Sequence, residues 1–444
     1  MTSDDKILPL RPIILYGVVY FFIILPFFTF NNVQELVADS INEDYEQAWN
    51  GFKWSGYISL SILNWTGAVF SWFTPPLISL INSKRALALG AFGFNLALGT
   101  FLFPFKYGLY IASAISGISA SLMWNAQGTY LSFTSNGASA TRDAGIMWSI
   151  MQSGAVFGNV AVTYLFQGKE HISVNTRTLL YSSLISVGII GIMLTFFLKK
   201  PDEVEKSEPV FKVFGQAIKL MTTKRMALLC IFMLYTGLEL SFFNTIYPTS
   251  VGYTKAFGVN RKQYAGETGM LIGAGQVAAG ILLIVSRRMK KPQYILVFAY
   301  VVAILTYVSI YVNLPNNAST MDTDDPAIIH PSLTLAFVNA FALGFTDGCF
   351  ETQIGRCIIT YYSNNAAPPF AIYTSLQGVS MGIMYLLSDY IGLHLYCILL
   401  LITCTIGISA FFFSFHVKDT LIITNESREA IISGQTEPNC DLKN

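Results

Sequence analysis

Charged side chains are scarce in this chain of 444 residues. Asp, Glu, Lys and Arg make up 12% of the sequence, whereas they make up about 25% of a typical soluble domain. Hydrophobic residues contribute 53%, and the mean hydropathy is +0.51. We therefore expect an integral membrane protein that contacts the lipid bilayer and binds no nucleic acid.

Cysteine and histidine are also sparse, and neither forms a recognisable site. Five of the six cysteines fall inside apolar runs, the sixth is Cys440, and the four histidines stand singly. The sequence contains no zinc-binding spacing, no phosphate-binding loop and no nucleophile elbow. We therefore expect no metal, no cofactor and no enzymatic activity.

Long apolar runs dominate what is present. A helix of about 20 residues crosses a hydrocarbon core of about 30 Å. The sequence predicts an all-α membrane protein with twelve transmembrane helices, near 13–31, 56–81, 86–105, 108–132, 145–167, 178–198, 226–248, 265–286, 293–314, 331–358, 370–388 and 391–416.

Basic residues indicate the orientation of these helices, because cytoplasmic loops are enriched in Lys and Arg. If the N-terminus is cytoplasmic, 19 of the 27 Lys and Arg residues lie on that side, seven lie on the other, and Arg356 lies inside the tenth span. The sequence therefore predicts that both termini are cytoplasmic. It also predicts that Asn317, in an Asn-Ala-Ser sequon of an outer loop, carries a glycan.

The longest charged segment divides the twelve spans into two sets of six. This segment, residues 199–225, is predicted to be a cytoplasmic linker. The predicted organisation is an N-terminal six-helix bundle at 1–198, a C-terminal six-helix bundle at 226–416 and a disordered cytoplasmic tail at 417–444. Two similar halves are typical of transporters built from repeats.

The two halves share a short pattern in their fourth helices. WNAQGTY, residues 124–130, aligns with FETQIGR, residues 350–356. The alignment pairs Trp124 with Phe350, Asn125 with Glu351 and Gln127 with Gln353. In a nearby register, Gln152 of the fifth span pairs with Gln377 of the eleventh.

Strongly polar side chains are concentrated in spans one, four, seven and ten and nearly absent from spans three, six, nine and twelve. Inside a membrane such groups normally face a bundle interior or a water-filled cavity. The pattern predicts that spans one, four, seven and ten line a central cavity. The candidate residues for binding a solute or a proton are Asn31, Trp124, Asn125, Gln127, Tyr130, Gln152, Glu239, Asn244, Asp347, Glu351, Gln353, Arg356 and Gln377.

The polar stretch of the fourth span has two interpretations. Asn125 and Gln127 could face the cavity and bind a polar solute, with Trp124 and Tyr130 as its walls. Alternatively, these amides only hydrogen-bond neighbouring helices, which the small residues between them bring close.

The tenth span carries the strongest candidates for chemistry. Asp347 and Glu351 lie four residues apart and share a helix face, where two ionised carboxylates would repel each other. The pair is therefore a candidate proton relay, with Glu351 as the proton carrier and Glu239 as a third carboxylate. Arg356 points about 140° away from Glu351 and would need a partner on another helix. The alternative is that these residues form a structural polar network and that the protein transports nothing. Asp389 lies in the loop before the last span, and we expect it to be solvated.

Three consecutive segments of the sequence carry a resemblance to one known family. They are the stretch W-N-A-Q-G-T-Y-L, the polar loop with Arg142 that follows it, and the fifth span SIMQSGAVFGN, which is rich in small residues. In these segments the sequence resembles the Unc-93-like family, a divergent branch of the major facilitator superfamily. An acidic segment at about 32–55, expected to be the first outer loop, agrees with this resemblance. The resemblance covers essentially the whole chain and implies the major facilitator fold.

One loop departs from the superfamily pattern. Between spans two and three, ordinary facilitators resemble G-x-x-x-D-R-x-G-R-R, whose acid and arginine help to latch the inner gate. Here the loop reads PLISLINSKR, which keeps Lys84 and Arg85 but lacks the glycines and the acid. Arg142 and Asp143, at the start of the fifth span, are further candidates for gating or topology, and Asp143 suits a helix N-terminus.

Two classes of function remain open. The carboxylates favour a proton-coupled carrier of an unknown small solute. The resemblance implies a second class, because the Unc-93-like family includes a regulatory subunit of potassium channels and a chaperone that escorts innate immune receptors; the partner would then be another membrane protein. The composition does not distinguish a plasma membrane protein from an endolysosomal one.

Overall fold

The computed structural model describes residues 10–134, 140–199, 210–286, 293–362 and 367–417. Nearly all of them lie in helices, which confirms the predicted all-α class. The predictions for the start of the linker (200–209), the basic loop at 287–291 and residues 418–444 of the tail concern positions outside the described residues. We refer to the described residues up to Lys199 as the first half and to those from Val210 as the second half.

Seven helices form the first half. They are α1 Arg11–Tyr45, α2 Gly56–Phe70, α3 Thr74–Ile81, α4 Ser83–Gly99, α5 Gly108–Thr134, α6 Ala140–Phe166 and α7 Val174–Thr195. The second half begins with a short helix in the predicted linker. Its helices are α8 Val210–Met221, α9 Lys224–Ser241, α10 Tyr247–Tyr253, α11 Arg261–Ser286, α12 Gln293–Asn313, α13 Leu333–Tyr361, α14 Ala367–Leu387 and α15 Leu393–His416, with a π-helical turn at Phe242–Ile246 between α9 and α10.

Eight helical segments among the described residues are long and apolar enough to cross a membrane. They are Arg11–Tyr45, Val174–Thr195, Lys224–Tyr253, Arg261–Ser286, Tyr294–Asn313, Leu333–Ile358, Pro368–Leu387 and Leu393–His416. The other predicted spans coincide with α2 and α3, α4, α5 and α6, of which α2 and α4 have 15 and 17 residues. The count of twelve crossings and the cytoplasmic position of both termini stay predictions.

The segments that the sequence predicts to be rich in polar residues are more buried than those that it predicts to be apolar. In α1, in the segment from α9 to α10 and in α13, 72%, 61% and 56% of the most apolar stretch is buried. The corresponding values for α7, α12 and α15 are 33%, 39% and 44%. The polar helices therefore lie toward the protein interior, and the apolar helices lie toward its outside.

The first helix is longer than the sequence predicts. Instead of a loop starting at residue 32, α1 continues to Tyr45. Buried apolar side chains keep helical spacing through this extension, namely Val33, Leu36, Val37 and Ile41. The predicted outer loop is wrong from residue 32 to residue 45, because the acidic residues of this segment interrupt neither the spacing nor the helix.

The second predicted span is broken near its middle. α2 ends at Phe70 and α3 begins at Thr74, with Pro75 in its first turn. Proline has no backbone N–H to donate to the carbonyl four residues earlier, so it interrupts a helix, but it is well accommodated in the first turn of a new helix. Trp72 lies in this break, and its indole N–H donates to Ser375 Oγ on α14 at 3.1 Å. The break therefore places a side chain of the first half against the second half.

The most extensive contacts between the halves are those of α6 with α11 and of α2 with α14. Glycines permit the close approach of α11 to α6. A Cβ atom added at Gly269 would lie 2.6 Å from Cγ of Asn159, and one at Gly273 would lie 2.9 Å from the backbone N of Val156. This packing holds polar groups of α6 and α11 next to α1 at the centre of the protein.

Candidate functional site

Three carboxylates lie together between α9 and α13. Glu239 comes from α9, and Asp347 and Glu351 occupy successive turns of α13. Glu239 and Asp347 are buried, Glu351 is half-buried, and Asp347 interacts electrostatically with both glutamates. We call these three residues the carboxylate cluster.

Glu351 links α13 to α14. One of its carboxylate oxygens accepts a hydrogen bond from the Tyr373 hydroxyl, and the other accepts one from Gln377 Nε2 at 2.6 Å. Gln377 Nε2 also lies 3.0 Å from Thr236 Oγ1 on α9. The structure thus brings two sequence-predicted residues, Glu351 and Gln377, into one network that joins three helices, and it adds Tyr373.

The two buried carboxylates have different partners. Asp347 Oδ2 accepts a hydrogen bond from Gln276 Nε2 of α11 at 2.8 Å, whereas Asp347 Oδ1 is buried without a partner among the described residues. Glu239 Oε1 accepts a hydrogen bond from the Thr346 hydroxyl at 3.1 Å. The cluster is therefore in contact with α11 as well as with α9, α13 and α14.

No cation offsets the carboxylate cluster within the part of the chain that the structure describes. None of its ion pairs includes a cluster residue. Arg356 lies on the same helix but is exposed. Three unpaired negative charges in a weakly polar interior would repel one another strongly, so the cluster is suited to holding protons.

The polar stretch of α5 makes one contact within its own helix and others to α1 and α6. Asn125 Nδ2 donates to the Ser121 carbonyl one turn earlier at 2.9 Å, and Gln127 Nε2 lies 3.4 Å from the Met147 sulfur. Trp124 meets the rings of Phe27 and Phe28 edge-on. These side chains are half-buried, so the structure keeps both interpretations of the stretch.

Tyr130, at the end of this stretch, joins two helices and the segment after α7 in the first half. Its hydroxyl donates to the Lys199 carbonyl at 3.1 Å, and its ring lies 4.4 Å from the ring of Tyr16 on α1. Tyr130 therefore holds the end of α5 against α1 and against the segment after α7.

A small cavity of about 10 Å³ lies where α1, α6, the π-helical turn and α11 meet, which is close to the room that one water needs. We call it the amide pocket. Its lining residues are Phe28, Asn32, Ala155, Asn159, Phe243, Asn244, Gly269, Ile272 and Gln276. Asn32 Nδ2 donates to Asn159 Oδ1 at 2.6 Å and to the Ala265 carbonyl at 3.1 Å. Asn244 was predicted from the sequence, whereas Asn32 was assigned to a loop.

The remaining predicted residues lie apart from the carboxylate cluster. The Asn31 carbonyl accepts a hydrogen bond from the Thr245 hydroxyl of the π-helical turn at 2.8 Å. Gln152 is buried in α6, and its Oε1 has no partner among the described residues. Gln353 is buried on α13 two residues beyond Glu351.

The residues predicted to act in gating make contacts within the first half. Lys84 Nζ lies 2.8 Å from the carbonyls of Phe196 and Leu198, where its charge stabilises the C-terminal end of α7. Arg85 is exposed. Arg142 pairs with the buried Asp143 at 2.7 Å near the start of α6.

Sequence reasoning missed a group of acids at the predicted outer end. Glu35 Oε2 accepts a hydrogen bond from the Tyr57 N–H at 2.9 Å, and the Tyr253 hydroxyl donates to Asp39 across the two halves. Asp389 is exposed, as the sequence predicts, and it also accepts a hydrogen bond from Ser55 Oγ at 2.9 Å. The helical spacing of apolar residues after residue 32 was the available signal for the two acids of α1.

Asn317 is exposed in a 3₁₀ turn, Asn316–Ser319, at the same end of the protein. Its Nδ2 donates to Asp325 Oδ2 at 2.7 Å. A glycan at this position stays a prediction.

A sequence model described as "Ion channel regulatory protein UNC-93" matches residues 52–412, which is most of the chain. The chain belongs to the UNC-93 family. "UNC93-like protein MFSD11" of Xenopus laevis is 30% identical over 427 residues, which cover 90% of this chain and 95% of that relative. The family resemblance predicted from the WNAQGTY stretch and the fifth span is confirmed.

Two solved structures show the fold of this UNC-93 family member. A Major Facilitator Superfamily transporter, FucP, in the outward conformation aligns with a TM-score of 0.59 and 10% identity, over 90% of this chain and 99% of FucP. A POT family transporter in complex with 5-aminolevulinic acid aligns with a TM-score of 0.63 and 12% identity, over 91% and 96% of the two chains. The predicted major facilitator fold and the multi-pass membrane character are confirmed.

Proposed function

We propose that this protein is a proton-coupled carrier of a small solute. The observation that carries the proposal is the carboxylate cluster of Glu239, Asp347 and Glu351, which has no cationic partner among the described residues. Ionisable groups inside membrane proteins are costly and mark proton or substrate paths far more often than surface charges do.

Glu351 is the proton carrier of this proposal. It is the half-buried member of the cluster, so it can exchange a proton with water more readily than the buried Asp347 and Glu239 can. A proton on Glu351 converts one of its acceptor oxygens into a donor, which changes its hydrogen bonds with Tyr373 and Gln377. Proton binding on α13 thereby changes how α13 is held by α14.

The remaining predicted residues are assigned to the solute path. Asn31, Gln152, Asn244 and Gln353 supply polar groups near the centre, and Asn125 and Gln127 do so on α5, with Trp124 and Tyr130 as aromatic walls. Arg356 provides an exposed positive charge beyond the cluster on α13. Lys84, Arg142 and Asp143 hold the helices at the predicted inner end, and Arg85 adds an exposed positive charge there.

Proton influx into vesicles tests the proposal. The full-length protein is reconstituted into liposomes that contain the pH-sensitive dye pyranine, and small polyols, sugars, amides, amines and carboxylates are added in turn. We expect at least one of these solutes to drive proton influx through the wild-type protein, and Glu351→Gln to reduce that influx to the level of protein-free liposomes.

A matched control separates loss of the proton carrier from general damage. Glu267→Gln makes the same chemical change on α11, where Glu267 accepts a hydrogen bond from Gln263 far along the helix from the cluster. This variant should retain the wild-type influx. Absence of solute-driven proton influx in the wild-type protein would refute the carrier proposal.

A second candidate function is the regulation of another membrane protein. The description of the matched family as ion channel regulatory favours it. In that case, affinity purification in a mild detergent should recover one dominant membrane partner. Substitution of exposed residues of α4, such as Phe92→Ala with Leu96→Ala, should weaken its recovery, whereas Asn125→Ala should not.

A further inference from the structure

The amide pocket is polar but carries no charge. Its hydrogen-bonding side chains are three asparagines and one glutamine, and its aromatic walls are Phe28 and Phe243. Asn159 Nδ2 is committed to the Ala155 carbonyl at 2.8 Å, and Asn32 Nδ2 is committed to Asn159 and Ala265. Asn244 is half-buried and belongs to the π-helical turn, a distortion that is frequent at functional sites.

Gln276 belongs to both the amide pocket and the carboxylate cluster. It lines the pocket from α11, and its Nε2 donates to Asp347 Oδ2 at 2.8 Å. Its side chain is buried, so it exchanges hydrogen bonds only with these neighbours. Gln276 is therefore the direct physical link between the two features.

We propose that Gln276 is a proton-dependent hydrogen-bond switch between the carboxylate cluster and the amide pocket, and that this pocket binds a small uncharged solute. The inference rests on the proposed carrier function, because it assigns the class of solute and the residue that couples solute to proton.

The switch follows from the donor and acceptor properties of the two side chains. An ionised aspartate only accepts hydrogen bonds, so it holds the NH₂ group of Gln276 and leaves the amide oxygen available to the pocket. When Asp347 takes up a proton, its new O–H group can donate to the amide oxygen of Gln276. The amide then turns over and presents its NH₂ group to the pocket. Only the O–H bond on Asp347 forms or breaks in this step.

The groups that face Asp347 come from several helices and are mostly acidic or neutral. Glu351 lies one turn away on α13, Glu239 lies on α9, and Tyr373 lies on α14. Tyr307 of α12 reaches the same region through Glu239, and Cys349 of α13 lies nearby. No Lys or Arg is among these described neighbours, so the charge of Asp347 depends on the protons that the cluster holds.

The lining determines the class of solute. An ammonium group would need a carboxylate, and the nearest one lies behind Gln276; an anion would need Lys or Arg, and none lines the pocket. Amides recognise hydroxyl and amide groups, because they donate and accept hydrogen bonds without a charge. The pocket has room for about one water, so binding of a larger solute requires its lining helices to move apart.

Infrared pH-difference spectra of the purified full-length protein test the switch without any solute. Acidification of the wild type should produce a protonated carboxyl C=O band and, in step with it, a shift of a glutamine side-chain amide band. Gln276→Met should remove the part of the amide shift that comes from Gln276 and keep the carboxyl band, whereas Gln377→Met, which removes the amide bonded to Glu351, should leave that part in place. The matched control is Gln263→Met, which removes another glutamine of α11 that donates to a carboxylate, here Glu267 at 2.7 Å, and should keep both signals.

The outcomes separate failure of the switch from failure of the carrier proposal. An amide shift that is the same in Gln276→Met as in the wild type would overturn the switch and leave the carrier proposal standing. Absence of any protonated carboxyl band in the wild type would overturn both. Asp347→Asn provides a second variant if Gln276→Met does not fold, and it should remove the same part of the amide shift.

Solute binding tests the assigned class separately. Thermal stabilisation of the purified protein by glycerol, glucose and acetamide is compared with that by methylammonium and acetate, in mild acid and at neutral pH. Binding of uncharged solutes only, with an affinity that differs between the two pH values by about 5- to 150-fold, is expected for coupled sites. Binding of the charged solutes, binding of none of the uncharged ones, or equal affinity at the two pH values would overturn the assignment.

Discussion

α5 and α13 occupy equivalent places in the two halves, and their aromatic residues pack in the same way. Trp124 of α5 meets Phe27 and Phe28 of α1 edge-on. Its counterpart Phe350 of α13 meets Phe232 and Tyr235 of α9 edge-on. Since α1 and α9 each contain the first predicted span of their half, the repeated sequence pattern corresponds to a repeated packing arrangement.

The next residue of each helix differs in both chemistry and contacts. Asn125 bonds to the backbone of its own helix, whereas Glu351 bonds to Tyr373 and Gln377 of α14. The two halves therefore share a packing scheme, but the second half alone places an acid in a network between helices at this position. The comparison teaches that the repeat preserves the aromatic packing, whereas the polar contacts of the next residue differ between the halves.

Exchanging the two side chains should abolish function and is the largest effect we expect. In the double variant Asn125→Glu with Glu351→Asn, the acid moves to α5, where the hydrogen bond seen in the structure goes to Ser121 of the same helix. Solute-driven proton influx into liposomes should stay at the protein-free level. Recovery of influx in the exchanged protein would mean that the halves are equivalent at this position.

Truncating the two aromatic counterparts should reveal a smaller difference. Phe350 is fully buried and Trp124 is half-buried. Phe350→Ala should lower the free energy of unfolding by about 3–5 kcal/mol, the usual loss for a core phenylalanine, and Trp124→Ala should lower it by less. Denaturant unfolding in detergent measures both, with the exposed Phe103→Ala as the control. A larger loss for Trp124→Ala would contradict the comparison.

The smallest effect concerns the outer contact between the halves, Ser55 with Asp389. Partial desolvation raises the pKa of the exposed Asp389, and the hydrogen bond from Ser55 opposes this rise only in part. A carboxyl whose pKa is higher in the folded state stabilises that state below its unfolded pKa, and this contribution is lost as the pH rises through the folded pKa. The stability of the wild type should therefore fall slightly between mild acid and neutral pH.

Thermal unfolding of Asp389→Asn checks this pH dependence. The variant should show a flatter dependence of stability on pH than the wild type. Asp324→Asn, in the exposed outer loop where Asp324 pairs with Lys255 at 3.2 Å, should keep the wild-type dependence. Identical pH dependence of the two variants would contradict the assignment to Asp389.

The sequence predicts the helices and the acids of α13 because both are local properties. Apolar length identifies most helices, and a spacing of four residues places Asp347 and Glu351 on one face. It does not predict the bond between Gln276 and Asp347, because this contact depends on how α11 and α13 are rotated against each other. The same holds for Trp72 and Ser375, which meet only because α2 breaks.

The helical continuation of α1 through residues 32–45 was not predicted because the acidic residues of this segment were interpreted as a sign of a loop. Glu35 and Asp39 are acidic, and the sequence prediction assigned them to a solvated loop. In the structure each has a specific partner, Tyr57 for Glu35 and Tyr253 for Asp39, so the helix tolerates them in its interior-facing surface. A charged residue indicates a loop only when the apolar spacing around it also ends.

The comparison of uptake with exchange in one variant tests the central claim most directly. With a solute identified in the liposome screen, uptake driven by a pH gradient and counterflow exchange without a gradient are measured for the wild type and for Glu351→Gln. We expect the variant, which keeps the shape of Glu351 and removes its titration, to lose pH-driven uptake and to retain most of its exchange. Unchanged pH-driven uptake in Glu351→Gln would contradict the account and leave the cluster of α9 and α13 as a structural network.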